Sequence, residues 1–558
     1  MQKVSKAMFI KKITGKLAVL ALVLCIILSG CQKKDDANLD ANAGALPSEG
    51  GVLNLASYSP DTLNPLTTQY SCVRDFLHLA YEGLFIVNED LTVKNVLASG
   101  YKITENNTVF RIELKKDVKF HDGSAFNSDD VIATFEYIQS YDNPYSDVFD
   151  NVKGYNADGD HAVVITLNSP GALFLNNLDF PILPSGLKAK DFEAPNYAFT
   201  MNGTGRYMYH KTNPYESMVL QKNPHWHGDT KVYIPQVCIR YVKDNDAILY
   251  AFDAGETDLI TTERGRWGEY SHTGNYETYE VTTTKYSFIG INTASSAFAD
   301  VELRRSVAAL FDKEFIADSL MFSHASPADT PLSAKGSYYR SDDDDKKATP
   351  SELKSKRLSV YMLYNEESVR KEEMALYAKT ILEEAGVKVK LTKVDFETYC
   401  RKIETGDYQL YVGEVDMRRD CDLSFMFDRA PQTAAPNAED MVVKVDDKDT
   451  SADTESGDEA DIPDEIHEPV PTSQISAICD YKDSKLDDII SNINSAKDTE
   501  AMKVAYNNLR IFFKENVPQI PLYHMNEAMF VNTRVKGKIK PNLTNLYADI
   551  GEIYIEVK

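Results

Sequence analysis

The sequence predicts an α/β fold spread over more than one domain, and three observations predict it. Across Asn107–Ile138, apolar residues spaced two apart give way to apolar residues spaced three and four apart, the mark of a strand running through a turn into a helix. Across Leu358–Leu391 a strand, a helical pattern closed by Gly386 and a second strand make a βαβ unit, which requires a partly parallel sheet. A chain of 558 residues, 43% of them hydrophobic, is long enough for two or three domains with large cores.

From the N-terminus, Lys3, Lys6, Lys11, Lys12 and Lys16 precede an unbroken apolar run, Leu17–Leu28. Spanning a hydrocarbon core of about 30 Å takes about 20 residues, so this run is too short and reads as the core of a signal peptide over residues 1–30. Residues 31–51 are polar and rich in Asp, Asn, Ala and Gly, a flexible tether. Val52–Leu55 is a short strand, and Arg74–Phe85 reads as a helix closing at Glu82-Gly83.

In Asn107–Ile138, Thr108, Phe110, Ile112 and Leu114 form a strand with one buried face. His121-Asp122-Gly123 supplies a turn, because Gly can take positive φ and Asp can bond its own backbone. Ser128 or Asn127 caps the following helix, Asp129 and Asp130 sit at its positive end, and Val131, Phe135 and Ile138 form its apolar stripe. Tyr155–Asp160 turns into the alternating strand His161–Leu167; Asp158-Gly159-Asp160 lacks the other ligands of a calcium loop, so a hairpin turn is the reading. Further on, Glu366–Ala385 is a helix, Val387, Val389 and Leu391 mark a strand, Tyr408–Glu414 another, and Asp498–Glu515 is a long amphipathic helix.

The wording of these stretches resembles one family. Val118–Gly123 through Asp130-Val131 is similar to the "vkFhdGtpltaeDVvysle" signature of the peptide-type (family 5) solute-binding proteins of ABC importers. Ser59–Pro65 resembles that family's "tLdP" opening, Glu82-Gly83-Leu84 its "lyegL", Asn202–Tyr207 its "GTGPY" with Arg206 in place of Pro, and Val219–Gly228 its "vLerNpdYwg". Gly255–Asp258, Phe298–Lys313 with Arg304 and Arg305, Ser484–Asn494 and Pro518–Tyr523 follow in the family's order. Leu28-Ser29-Gly30-Cys31 resembles a bacterial lipobox, implying cleavage before Cys31 and diacylglycerol on its thiol, which holds the protein on the outer face of the cytoplasmic membrane.

The resemblance implies a two-lobe, type II periplasmic-binding-protein-like clamp of the large peptide-binding cluster, with an extra subdomain in the first lobe. Its first lobe runs over residues 52–285 with the subdomain at about 84–200, the second over 286–525, and 526–558 return to the first. It implies capture of oligopeptides and their delivery to ABC permease subunits by a monomer. In peptide-binding members an Asp that pairs with the ligand's α-ammonium follows the strand matching Tyr408–Glu414. Asp416 is favoured by motif offset and Asp422 is second, with Asp420 also within reach. The aromatic-rich segment usually preceding that Asp is Gly413-Glu414-Val415 here. Tyr70, Arg264, Arg266 and Trp267 are the other candidate contacts, an aromatic face with guanidinium groups suiting side chains or a carboxylate. Nickel chelates, haem and oligosaccharides are the other ligands of this fold, and a ligand sensor is the other role.

Composition narrows the classes. Removing residues 1–30 takes away five Lys and no acid, moving the net charge from −25 to −30, which argues against nucleic acid as a partner. Cys72, Cys238, Cys400, Cys421 and Cys479 include no C-x-x-C pair, and their odd number points to free thiols. No G-x-x-x-x-G-K-[ST], G-x-S-x-G or H-E-x-x-H occurs, so neither an enzyme nor a cofactor is expected. His225 and His227 would share a strand face but have no third ligand near, so no metal is expected. Residues 439–468 carry thirteen acids against two Lys and read as a disordered or mobile insertion, with a cationic-partner or calcium site as the functional alternative; Asp342–Asp345 reads as a solvated loop.

Overall fold

Residues 47–141, 143–192, 199–213, 215–262, 276–333, 353, 357–427, 479, 481–542 and 544–556 are described by the computed structural model of the chain. Cys31, Arg264, Arg266, Trp267, Asp342–Asp345 and the acidic stretch 439–468 lie outside the described residues. The elements that position the site are β1 (Val52–Tyr58), α1 (Ser71–Leu77), β2 (Ala98–Thr104), β3 (Val109–Leu114), α2 (Ser128–Ser140), β4 (Val152–Ala157) and β5 (Ala162–Leu167). They continue as β6 (Tyr207–Asn213), β7 (Ser217–Lys222), β8 (Gln236–Val242), α3 (Asn245–Asp253), β9 (Leu259–Thr262), β10 (Tyr276–Ile291) and α4 (Val301–Ala308). The remainder are β11 (Ser359–Asn365), α5 (Val369–Glu384), β12 (Lys388–Val394), α6 (Phe396–Glu404), β13 (Leu410–Asp416), α7 (Ser484–Asn494), α8 (Thr499–Asn516) and β14 (Gln519–Asn532).

The stretch from β3 to α2 forms as its residues dictate. Gly123 has φ +89° and Asp122 accepts from the Ser124 N–H at 2.9 Å, closing the turn. Asn127 then accepts from the Asp129 N–H at 2.7 Å while Asp130 accepts from the Asn127 N–H at 2.8 Å, a reciprocal cap at the helix start. Val131, Phe135 and Ile138 are all buried. With β2, β4 and β5, β3 makes a four-stranded antiparallel sheet in the order β2-β3-β5-β4.

Two short hairpin-like pairs, Phe85–Val87 with Val93–Asn95 and Val535–Gly537 with Ile553–Ile555, stand apart, and one mixed eleven-stranded sheet holds the other strands named above. Its order is β12-β11-β13-β10-β14-β9-β1-β8-β7-β6, with Ala325–Pro327 pairing β14 beside that path. β11 runs parallel to β12 and to β13, as the βαβ pattern requires, and β1 runs parallel to β8 and β9. The long strands β10 and β14 are antiparallel, and their register shifts between Thr282 and Tyr286. On one side of that shift Val281, Met529 and Val531 join the core around β1, β3 and α2. On the other, Tyr286 and Phe288 join the core of α6, α7 and α8, and Ile289, Ile291, Ile520 and Leu522 that of α4, β11 and α5. The two strands therefore pass from one apolar core into the others at the irregular ladder.

The helix expected over Arg74–Phe85 stops at Leu77. Beyond it the carbonyls of Leu79 and Ala80 accept from the N–H groups of Tyr207 and Gly205, both at 3.0 Å, and Glu82 O accepts from Ile182 N at 2.9 Å. Those long-range bonds take the groups a helix would use. Gly205 permits the approach, since a Cβ there would lie 2.6 Å from Leu79 O. All five described cysteines are free, and no described helix is long and apolar enough to cross a membrane.

Candidate ligand-binding cleft

β13, which ends in Asp416, delivers the chain to a tight turn that carries Asp420 and Asp422 of the expected acids. Met417 N donates to Thr284 O at 2.9 Å, extending the ladder by one residue, and the Cys421 N–H then closes on Arg418 O at 3.0 Å. Cys421 takes φ +58°, and Asp420 Oδ1 accepts from Asp422 N at 3.0 Å. The turn so held presents Arg418, Arg419, Asp420 and Asp422.

Against it lie the turns flanking the four-stranded sheet. Asn177 Nδ2 donates to Asp420 Oδ2 at 2.6 Å, and Asn176 Nδ2 to Arg419 O at 3.1 Å. Arg419 pairs with Asp179. Arg418 Nη2 donates to Asp147 O at 2.6 Å and to Asp150 Oδ2 at 3.1 Å. The start of α7's exit joins them, with Ala172 N donating to Asn494 O at 2.7 Å and Asn107 Nδ2 to Ala496 O at 3.0 Å. Two parts of the molecule with separate cores thus meet across a charged seam.

Arg74, Asp75 and His78 of α1 and its C-terminal turn, with Tyr145 and Tyr547, share this seam's electrostatics. Burial pushes the Asp75 carboxyl up to about 7, with only the Arg74 charge opposing it. Burial, helped by the Arg419 and Arg74 charges, pulls His78 down to about 3, so its imidazole is neutral. Burial also lowers Arg419 and raises Asp420 and Tyr145. Deeper in the sheet, against burial that works upward, Arg370, Lys285 and Lys371 hold Glu414 at about 2.

The expected residues are distributed as follows. Asp416 ends β13 opposite Lys285 and accepts from Thr284 Oγ1 at 3.1 Å. Asp422 lies in the turn, where its Oδ1 accepts from Ser424 Oγ at 2.7 Å and Asn494 Nδ2 at 3.2 Å. Tyr70 precedes α1, half-buried, with its ring edge-on to Tyr58 at 5.9 Å. Arg264, Arg266 and Trp267 fall outside the described residues. Arg304, in contrast, is structural, its guanidinium donating to Asn516 O, Val517 O and Phe298 O. The reading by motif passed over Arg74, Asp75, His78, Asp179 and the Arg418-Arg419 pair; the paired arginines inside the expected slot were the one local signal. His227 bonds Glu82 and His225 is exposed, and among the described residues no three His, Cys, Asp or Glu side chains are grouped to hold a metal.

Carboxylates, guanidiniums and phenols of the seam are drawn together from distant parts of the chain by charge-assisted hydrogen bonds. Fold and seam together define the two-lobe clamp of a solute-binding protein. The model of bacterial extracellular solute-binding proteins, family 5, matches residues 92–426, more than half of the chain, and the protein belongs to that family. The oligopeptide-binding protein AppA of Bacillus subtilis (strain 168) is 25% identical over 348 residues, 60% of this chain and 64% of AppA. The chain therefore spans less than two thirds of that relative. The probable D,D-dipeptide-binding periplasmic protein DdpA of Escherichia coli (strain K12) is 23% identical over 399 residues, 67% of this chain and 76% of DdpA. The structure of B. subtilis AppA in complex with a nonapeptide superposes with a TM-score of 0.63 at 19% identity, covering 92% of this chain and all of that one, which shows the shared fold.

Proposed function

We propose that the protein is a membrane-tethered receptor that captures oligopeptides outside the cell and delivers them to an ABC permease, without making or breaking covalent bonds. The observation that carries this reading is the seam itself. It places guanidinium and carboxylate groups side by side between separate cores, the chemistry that a peptide's two charged ends require. The naming of AppA as oligopeptide-binding supports the same ligand class.

In this reading residues 52–285 and 526–558 form one lobe and 286–525 the other, hinged where the β10 and β14 ladder is irregular. Asp416 holds the ligand's ammonium, with Asp422, Tyr70, Arg264, Arg266 and Trp267 as further contacts. Residues 1–30 are removed as a signal peptide, and acylated Cys31 anchors a monomer to the membrane. Mass spectrometry of what co-purifies with protein produced without residues 1–31, followed by calorimetric titration of that compound, tests the ligand. Short peptides are expected; a nickel chelate, haem or an oligosaccharide in their place would replace the ligand class. Cys31→Ala is expected to release the protein into the soluble fraction, and a variant still on the membrane would remove the lipid anchor.

A further inference from the structure

Away from the turn after β13 lies a polar hollow. A cavity of about 230 Å³ opens between the segment after α1, the turn 226–230 and the chain near residues 544–550. Glu82 is its deepest charge. Its carboxylate accepts from Thr204 Oγ1 at 2.9 Å, Trp226 Nε1 at 3.2 Å and His227 Nε2 at 2.7 Å. Asp179, also in the wall, is engaged by Arg419.

The donors are not so satisfied. Arg206 stacks 4.5 Å above the Trp226 ring and gives one Nη1 hydrogen to Ala548 O at 2.8 Å, yet its Nε is buried with no partner. Lys94 and Lys115 complete the wall and make no ion pair among the described residues. Asp229 is exposed and is the lining carboxylate left uncommitted. Glu82, Asp549 and Glu552 oppose the Arg206 charge, but Lys94 and Lys115 add two cations to the same wall with no ion pair among the described residues, and water accepting from the Arg206 Nε–H would leave them so. An oxyanion meets both needs at once, because each oxygen accepts more than one charge-assisted hydrogen bond. The volume admits such an ion with several waters, each taking about 30 Å³.

We propose that this cavity is a binding site for a small oxyanion, phosphate or a short carboxylate, held by Arg206, Lys94 and Lys115. The site goes beyond peptide capture and does not depend on it.

Trp226 is the reporter, since it touches both Arg206 and Glu82 and only one other tryptophan, Trp267, exists in the chain. In the Trp267→Phe protein, Trp226 emission is followed while sodium phosphate, or sodium acetate, replaces sodium chloride at constant ionic strength. A saturable change with either anion is expected, and which of the two produces it assigns the site to phosphate or to carboxylate. Arg206→Gln is expected to weaken that binding at least tenfold, and Lys94→Gln with Lys115→Gln, which alters only accessible side chains, provides the same test should the first variant not fold. No saturable change with either anion, or one that survives both sets of substitutions, overturns the site.

Discussion

Asn177 donates its side-chain amide to Asp420 at 2.6 Å, joining residues 243 apart in the chain across the seam between separate cores. A hydrogen bond to an ionised group contributes about 1.5–3 kcal/mol, and each 1.4 kcal/mol is about tenfold in affinity. Asn177→Ala is therefore expected to weaken peptide binding by about tenfold or more, mostly through faster release, as stopped-flow dissociation would read. Unchanged release would mean that this contact does not help to keep the clamp shut.

Asp416 ends β13 at the motif offset expected of the family's ammonium-pairing Asp, whereas Asp420 lies in the turn beyond and is held by Asn177. Asp416→Asn should accordingly weaken the co-purifying peptide more than Asp420→Asn does, in paired calorimetric titrations. Equal losses would remove Asp416 as the ammonium partner.

Asp75 and His78 give the seam opposite pH dependences. The folded Asp75 titrates near 7 against an ordinary 3.8, so the folded state binds its proton more tightly; that stability is complete below about 4 and is lost as pH rises through 7. The folded His78 titrates near 3 against 6.5, so its contribution is complete above 6.5 and is lost as pH falls toward 3. Between about 4 and 6.5 the two slopes oppose each other. Asp75→Asn should thus steepen the rise of melting temperature over that interval and leave the variant the more stable protein at pH 8, relative to its standing at pH 4. His78→Gln should tilt the profile the other way. Profiles parallel to the parent's would dismiss the burial of both groups as the cause.

Asp258, at the start of β9, is 1% exposed at its side chain and is bound by Arg534 and by the Asn54 N–H at 2.6 Å and Nδ2 at 3.1 Å. The Arg534 side chain is 37% exposed and Asn54 still serves the carboxylate, so leaving the buried Asp258 without its cation costs about 1–3 kcal/mol. Arg534→Met should destabilise by about that much in chemical denaturation. Adding Asp258→Asn should recover part of the loss, and simple additivity of the two would show that the pair is not coupled.

Much of the fold could be read where the deciding contacts are local. The α2 cap needs only Asn127 and Asp130, and the βαβ unit needs only the periodicities of β11, α5 and β12. The end of α1 could not be read this way, because Leu79 and Ala80 are bonded by residues more than 120 positions away, and a local pattern carries no trace of them. The seam was hidden for the same reason. Arg74-Asp75 looks in sequence like an ordinary solvated pair, whereas in the fold Arg74 faces Arg419 and Asp75 faces Tyr547, both hundreds of positions away. The slot after β13 was located by motif, but motif offset alone could not tell which of its acids Asn177 or Asn494 would occupy.

β10 and β14 run unbroken from one core into the next, so neither half owns a complete sheet. Severing the gene at the irregular ladder would strand unpaired edges on both fragments, so each is expected to aggregate alone and the two co-produced to reassemble. Engineers wishing to graft a foreign reporter should therefore choose the outer strands β6 or β12, where an added domain interrupts no shared ladder.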